Sequence, residues 1–183
     1  MLKQFTRDEL LDEWLIRHGY VPLRSDGSVD LCTGSDMRAW ARRRVADRVN
    51  EIYATAPAAL LPWSDFSAEA TLSCSDCGDA TVRLPAGVER VVSIRLSGWH
   101  RPAEPVGADN PRAVASGNPF LCGDSCNPLA IRLGDGTLRV MPAGADARVE
   151  TLICVDRAPG DDEDVIMDSR LLASIVADSE ESI

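Results

Sequence analysis

Two cysteine pairs carry the spacing of metal ligands. Cys74 and Cys77 stand in CSDCGD, and Cys122 and Cys126 stand in CGDSC, giving C-x2-C followed by C-x3-C. Four thiolates hold zinc in a tetrahedron, and a short spacing lets one turn supply two ligands. The stretch between the pairs is longer than in the usual zinc ribbons, and the Gly, Asp and Ser around each cysteine also make ordinary turns. Two disulfides, or four plain thiols, fit the same residues. A redox role for Cys74 and Cys77 fits less well. Such a motif sits where a strand meets a helix, whose dipole activates the thiol, whereas the flanks here, TLS and GDATVRL, read as strands.

Nucleophilic catalysis has little material, with two histidines in the chain. His18 falls on the apolar face at the end of a helical pattern, where a core or last-turn role is expected. His100 stands in GWHRP just past a strand, and spacing gives no support for a pair with Cys122 or Cys126. The acids Asp161, Asp162 and Asp164 form a run expected to open a helix, where the dipole favours negative charge. They lack the alternating ligands and glycine bend of a calcium loop. There is no phosphate-binding glycine loop, and GDG reads as a hairpin turn. No enzyme and no cofactor are expected, zinc being the one alternative.

The remaining candidates are surfaces. Net charge is −10, from 19 Lys and Arg against 29 Asp and Glu, without the basic excess that grips nucleic acid. Arginines gather early, with Arg38, Arg42 and Arg43, and acids gather late, which suits head-to-tail self-association. Trp63, Trp99 with Arg101, and Phe120 stand beside loops and prolines. They are either interface anchors or the residues that close the ends of a β domain. No apolar run is long enough to span a membrane. The start, MLKQFTRDELLDEW, lacks the apolar segment of a signal peptide, so the six cysteines are expected to be reduced thiols.

These residues need elements to hold them. Thr6 and Glu9 form a capping box for a helix over 7–18, with Phe5 and Leu10 placed as its staple and Gly19 and Pro22 as its stop. After a loop at 23–35, Ser35 can cap a helix to about Thr55, with Met37, Ala41, Val45, Val49, Ile52 and Tyr53 at helical spacing. Arg38 and Arg42 share that face. They either overhang the core or make a buried or intersubunit ion pair, since an arginine placed there needs a partner.

From about residue 60 the period becomes two. Val92, Ile94 and Leu96 alternate with polar residues. Leu129, Ile131 and Leu133 lead to the Asp135-Gly136 turn, and Val149, Thr151, Ile153 and Val155 make a further strand. The stretch 101–128 is a long loop, expected to reach a neighbour. A closing helix is expected over 163–178, with a stripe of Val165, Leu172 and Val176. The fold class is therefore α+β. A small bundle of two N-terminal helices and one C-terminal helix, 1–58 and 159–183, carries an inserted antiparallel β sandwich or barrel-like domain, 59–158.

The stretch YATAPAALLPWSDFS, followed by RLPAGVERVVSIRLSGW, resembles the head-to-tail adaptor, or tail-ring, proteins of short-tailed bacteriophages. In that family a helical bundle carries an inserted β domain, and copies form a ring beneath the portal that continues the DNA channel. The resemblance implies a non-enzymatic virion structural protein, assembled in the host cytoplasm. Its implied partners are its own copies, portal and tail proteins, and DNA passing without sequence recognition, with no membrane. The alternative from the cysteines is an intracellular zinc-ribbon-like binding module.

Overall fold

The computed structural model describes residues 1–19, 34–75, 77–118, 122–134 and 136–176. Pro22, the loop at 23–33, Phe120, Asp135 and the end of the closing helix lie outside them. The chain is α+β and divides into two compact units. One contains Met1–Pro62 together with Ala158–Ile183, and the other is Trp63–Arg157.

The first unit begins with strand β1 (Leu2–Phe5) and helix α1 (Arg7–Arg17). Both arms of the capping box form. The Glu9 amide donates to Thr6 Oγ1 at 3.2 Å, and the Thr6 amide donates to Glu9 Oε2 at 2.8 Å. Leu10, Leu11, Trp14 and Leu15 are buried, and Gly19 takes φ 77° at the stop. The His18 ring stacks on Trp14 at 3.8 Å, with Nδ1 2.8 Å from the Trp14 carbonyl oxygen. Helix α2 (Gly34–Thr55) starts one residue before Ser35 and buries Ala41, Val45, Val49, Ile52 and Tyr53.

The closing segment differs from expectation. Val165–Asp168 is a strand, β10, antiparallel to β1 in the register Leu2↔Asp168 to Phe5↔Val165. A 3-10 turn at Ser169–Leu171 follows, and helix α4 is only Leu172–Val176. Val165 and Met167 are buried while Ile166 between them is 41% exposed, the alternation of a strand with one face inward. A β-branched pair opposite an available strand outweighs the weak helical stripe that continues into α4. Tyr53 Oη anchors the strand by donating to the Ile166 carbonyl at 2.7 Å.

The second unit has two sheets. One has the order β2 (Trp63–Asp65), β9 (Val149–Asp156), β5 (Val88–Leu96). The other runs β3 (Thr71–Cys74), β4 (Ala80–Arg83), β8 (Thr137–Met141), β7 (Leu129–Leu133), β6 (Pro105–Val106). Neighbours are antiparallel except β6 and β7, which are parallel. Both sheets feed one apolar core. Val82, Ala130, Leu138 and Val140 come from one sheet, and Val91, Ile94, Leu96, Leu152 and Cys154 from the other.

Two strands depart in part from the expected alternation, although Ile94, Leu96 and Val155 are buried as expected. The register of β5 shifts between Val91 and Ser93, so Val91 is buried and Val92 only half-buried. An extra residue at a bulge inverts the alternation beyond it. In β9 the core takes Leu152 and Cys154, with Ile153 half-buried, because the thiol serves as a small apolar side chain.

The stretch 101–128 is not featureless loop. Ala103 makes a two-way backbone bridge with Ile94, and β6 pairs with β7. A short helix, α3 (Pro111–Ala115), follows with Asn110 as its cap. Val106 and Ala113 pack on Leu129, Ile131 and Met141, on the face of the sheet away from the main core.

Candidate functional site

The first unit contains a cleft of about 740 Å³. Arg42 and Arg43 project into it from α2, and Asp161, Asp162 and Asp164 from the loop before β10. Thr6, Arg7 and Asp8 at the start of α1 complete the polar lining with Asp47 and Asn50. The early arginines and late acids therefore do not form two separate faces. Pairing of β10 with β1 returns the acidic loop to the start of α1, beside α2.

Arg7 fixes that loop. Its Nη2 donates to the carbonyls of Pro159 at 2.8 Å and Gly160 at 3.0 Å, and its Nε donates to that of Glu163 at 3.3 Å. Burial pushes the Arg7 guanidinium down from its usual range, offset in part by Asp161, Tyr53 and Glu163. Arginine remains charged through such a shift. Gln4 Nε2 donates to Asp164 Oδ2 at 2.7 Å, and the acidic turn is further closed by the Gly160 amide on Glu163 Oε2. Spacing does not single out Arg7. Its one signal is a cation in a first helical turn that otherwise collects acids.

Arg38 and Arg42 find their acidic partners within the chain. Arg38 lies 3.5 Å from Asp12 and 3.9 Å from Asp8, and Arg42 lies 3.4 Å from Asp8. These pairs are exposed, and each contributes at most about 1 kcal/mol. Among the described residues of the unit, Asp168 is the buried acid, 3% exposed. Hydrogen bonds from Arg170, then from the chain's terminal amine, hold its carboxyl far below the usual range. Trp40, which spacing also passes over, is 45% exposed. It meets Trp14 edge-on at 5.4 Å, and the Arg44 guanidinium lies 5.3 Å from its ring.

In the β unit the aromatic candidates separate. Trp63 on β2 is 56% exposed. Trp99 is buried at 2% and donates from Nε1 to the Pro142 carbonyl at 2.7 Å, so it is a core residue with no surface to offer a partner. Arg101 is exposed and donates to Asn127 Oδ1.

CSDCGD is the connection between β3 and β4, with Cys74 opposite Ala80. The Ser75 amide donates to the Asp79 carbonyl, the Cys77 amide donates to Ser75 Oγ, and Gly78 takes φ 81°. Hydrogen bonds from the Ser75 hydroxyl and then Arg139 lower the Asp79 carboxyl. Cys74, Cys77, Cys122 and Cys126 are exposed, and Cys154 is buried. Among the described residues no three His, Cys, Asp or Glu side chains gather as metal ligands. One chemical pair does form: Cys126 Sγ lies 3.3 Å from His100 Nδ1. Sequence spacing gave no sign of it, because the turn carrying Cys126 is brought to His100 by the fold, with the His100 amide bonded to the Ser125 carbonyl.

No family model matches the chain, and no curated protein matches it significantly. Among the described residues no helix is long and apolar enough to cross a membrane.

Proposed function

We propose that this chain is a non-enzymatic structural protein of a bacteriophage virion, a head-to-tail adaptor whose copies form a ring between portal and tail and continue the DNA channel. The observation that carries the reading is the chain layout. Both ends of the polypeptide build one helical unit around α1, α2 and the β1–β10 ladder, and residues 63–157 form a separate two-sheet unit between them. We read this as a helical frame carrying an inserted β sandwich, the layout implied by the resemblance of RLPAGVERVVSIRLSGW. The cleft supports the same reading, since its carboxylates outnumber its guanidinium groups. Such a lining repels a phosphate backbone and suits a mixed-charge segment of a neighbouring protein.

A closed ring needs two complementary surfaces related by rotation. We assign one to the cleft, through Arg42 and Arg43, and give Trp63 the role of an anchor. The test mixes purified chain with portal rings and images the product, because an adaptor can remain monomeric until the portal templates it. A ring of this chain on the portal is the expected result. The double reversal Arg42→Glu, Arg43→Glu should abolish or strongly weaken it. An unchanged ring removes the cleft from the interface, and failure of the wild type to bind any portal removes the adaptor reading. One zinc per chain by metal analysis would favour the binding-module alternative instead.

A further inference from the structure

The Cys126–His100 contact plays no part in the adaptor reading. The turn that carries Cys126 is fixed at several points. Asp124 Oδ1 accepts the amides of Cys126 at 2.8 Å and Asn127 at 2.7 Å. The His100 amide donates to the Ser125 carbonyl at 2.9 Å, and the Arg101 side chain donates to Asn127. Gly123 presses the turn against the sheet. A Cβ there would stand 2.7 Å from the Met141 carbonyl oxygen and 2.9 Å from the Leu129 amide nitrogen, so a side chain would force the turn away. Thiol and imidazole are thus held together by bonds that involve neither the Cys126 nor the His100 side chain, and both are exposed.

We propose that Cys126, with His100 as its base, is a modification site that takes up a low-molecular-weight disulfide of the glutathione class. The thiolate is the attacking species, and an adjacent imidazole generates it by accepting the thiol proton. Cys126 Sγ attacks one sulfur of the disulfide. A new S–S bond forms to that sulfur while the old one breaks. The departing thiolate takes up the proton that His100 Nδ1 had received. The net change is one protein thiol and one disulfide giving one mixed disulfide and one free thiol, with the small disulfide as oxidant. The charged side chains of the turn are Arg101, which donates to Asn127 Oδ1, and Asp124, whose Oδ1 is occupied by two amides.

The chain contains its own standards. Cys74 and Cys77 are exposed thiols, and Cys154 is buried, its thiol pushed up to about 12 by burial first and by Asp65 and Asp156 next. Full-length reduced protein is treated with limiting oxidised glutathione, and in parallel with iodoacetamide. Label is located by tandem mass spectrometry, which separates Cys126 from Cys122 on their shared tryptic peptide. The expected result is that Cys126 reacts roughly tenfold faster than Cys74 and Cys77, with the advantage growing from about pH 8 to about pH 6.5. His100→Gln should bring Cys126 down to their rate, leave theirs unchanged and keep Cys154 protected. A Cys126 no faster than Cys74 and Cys77, or one indifferent to His100→Gln in a variant that still protects Cys154, overturns the proposal. If the variant exposes Cys154, the wild-type ranking and its pH trend decide alone.

Discussion

Asp65 closes a turn that two strands of the β unit depend on. Its Oδ1 accepts the amide of Ser67 at 2.9 Å and that of Leu152, on the neighbouring strand β9, at 3.1 Å. The Leu152 amide is the main reason the carboxyl is held below its usual range, and the Ser67 amide adds to it. Asp65→Ala should cost about 1–2 kcal/mol in urea unfolding, since it leaves two donors without their acceptor. The sign with pH follows from the direction of the shift. A depressed folded value means the stabilisation is present above the ordinary aspartate range, near pH ~4, and lost as pH falls below it. The difference between wild type and Asp65→Ala should therefore shrink on acidification; a difference constant from neutral pH to about pH 2 would assign the role to something other than the charge. At this scale legibility was mixed. The Thr6–Glu9 box was readable because both partners lie within one turn. The Arg7 clamp and the Cys126–His100 contact were not, because their partners arrive from far along the chain.

Secondary elements were most legible where a single period ran uninterrupted. The buried face of α2 follows its helical spacing at Ala41, Val45, Val49, Ile52 and Tyr53. Strand β5 shows how a bulge defeats the same reasoning. Local alternation assigned Val92 to the core, but the register shift between Val91 and Ser93 gives that place to Val91, 3% exposed. Val91→Ala should then cost about 1–3 kcal/mol, by loss of buried methyls and the cavity left behind. Val92→Ala should cost clearly less. Chemical denaturation of the two variants checks the order, and the reverse order would put the bulge elsewhere. Strand β10 was illegible for a different reason. Four residues after an acidic run look like the first turn of a helix, and what makes them a strand is β1, at the other end of the sequence.

The whole chain alternates between two folding units rather than growing as one. Residues 63–157 contain a core of their own, drawn from both of their sheets. Expressed alone, this segment should unfold in one cooperative transition and keep Cys154 protected from alkylation; a broad transition with Cys154 open would mean that it needs the helical unit. Acid should weaken both units. Asp168 in one, and Asp65 and Asp79 in the other, all have carboxyls held low, so each contribution disappears as pH drops below the aspartate range. The gathering of early arginines and late acids in one cleft was hidden from composition, which records charge along the chain but not the ladder that folds it back.

The ladder β2–β9 has a mechanical corollary. Its register places Trp63 opposite Val155, so the segment's first strand and its last lie side by side, with their outer ends together. Tension drawn through those ends acts across the rungs and breaks them one after another, like a zip opened from its end, instead of loading all three in parallel shear. The three-stranded sheet would yield first at Trp63, at low force, while β5 and β9 remained paired behind it.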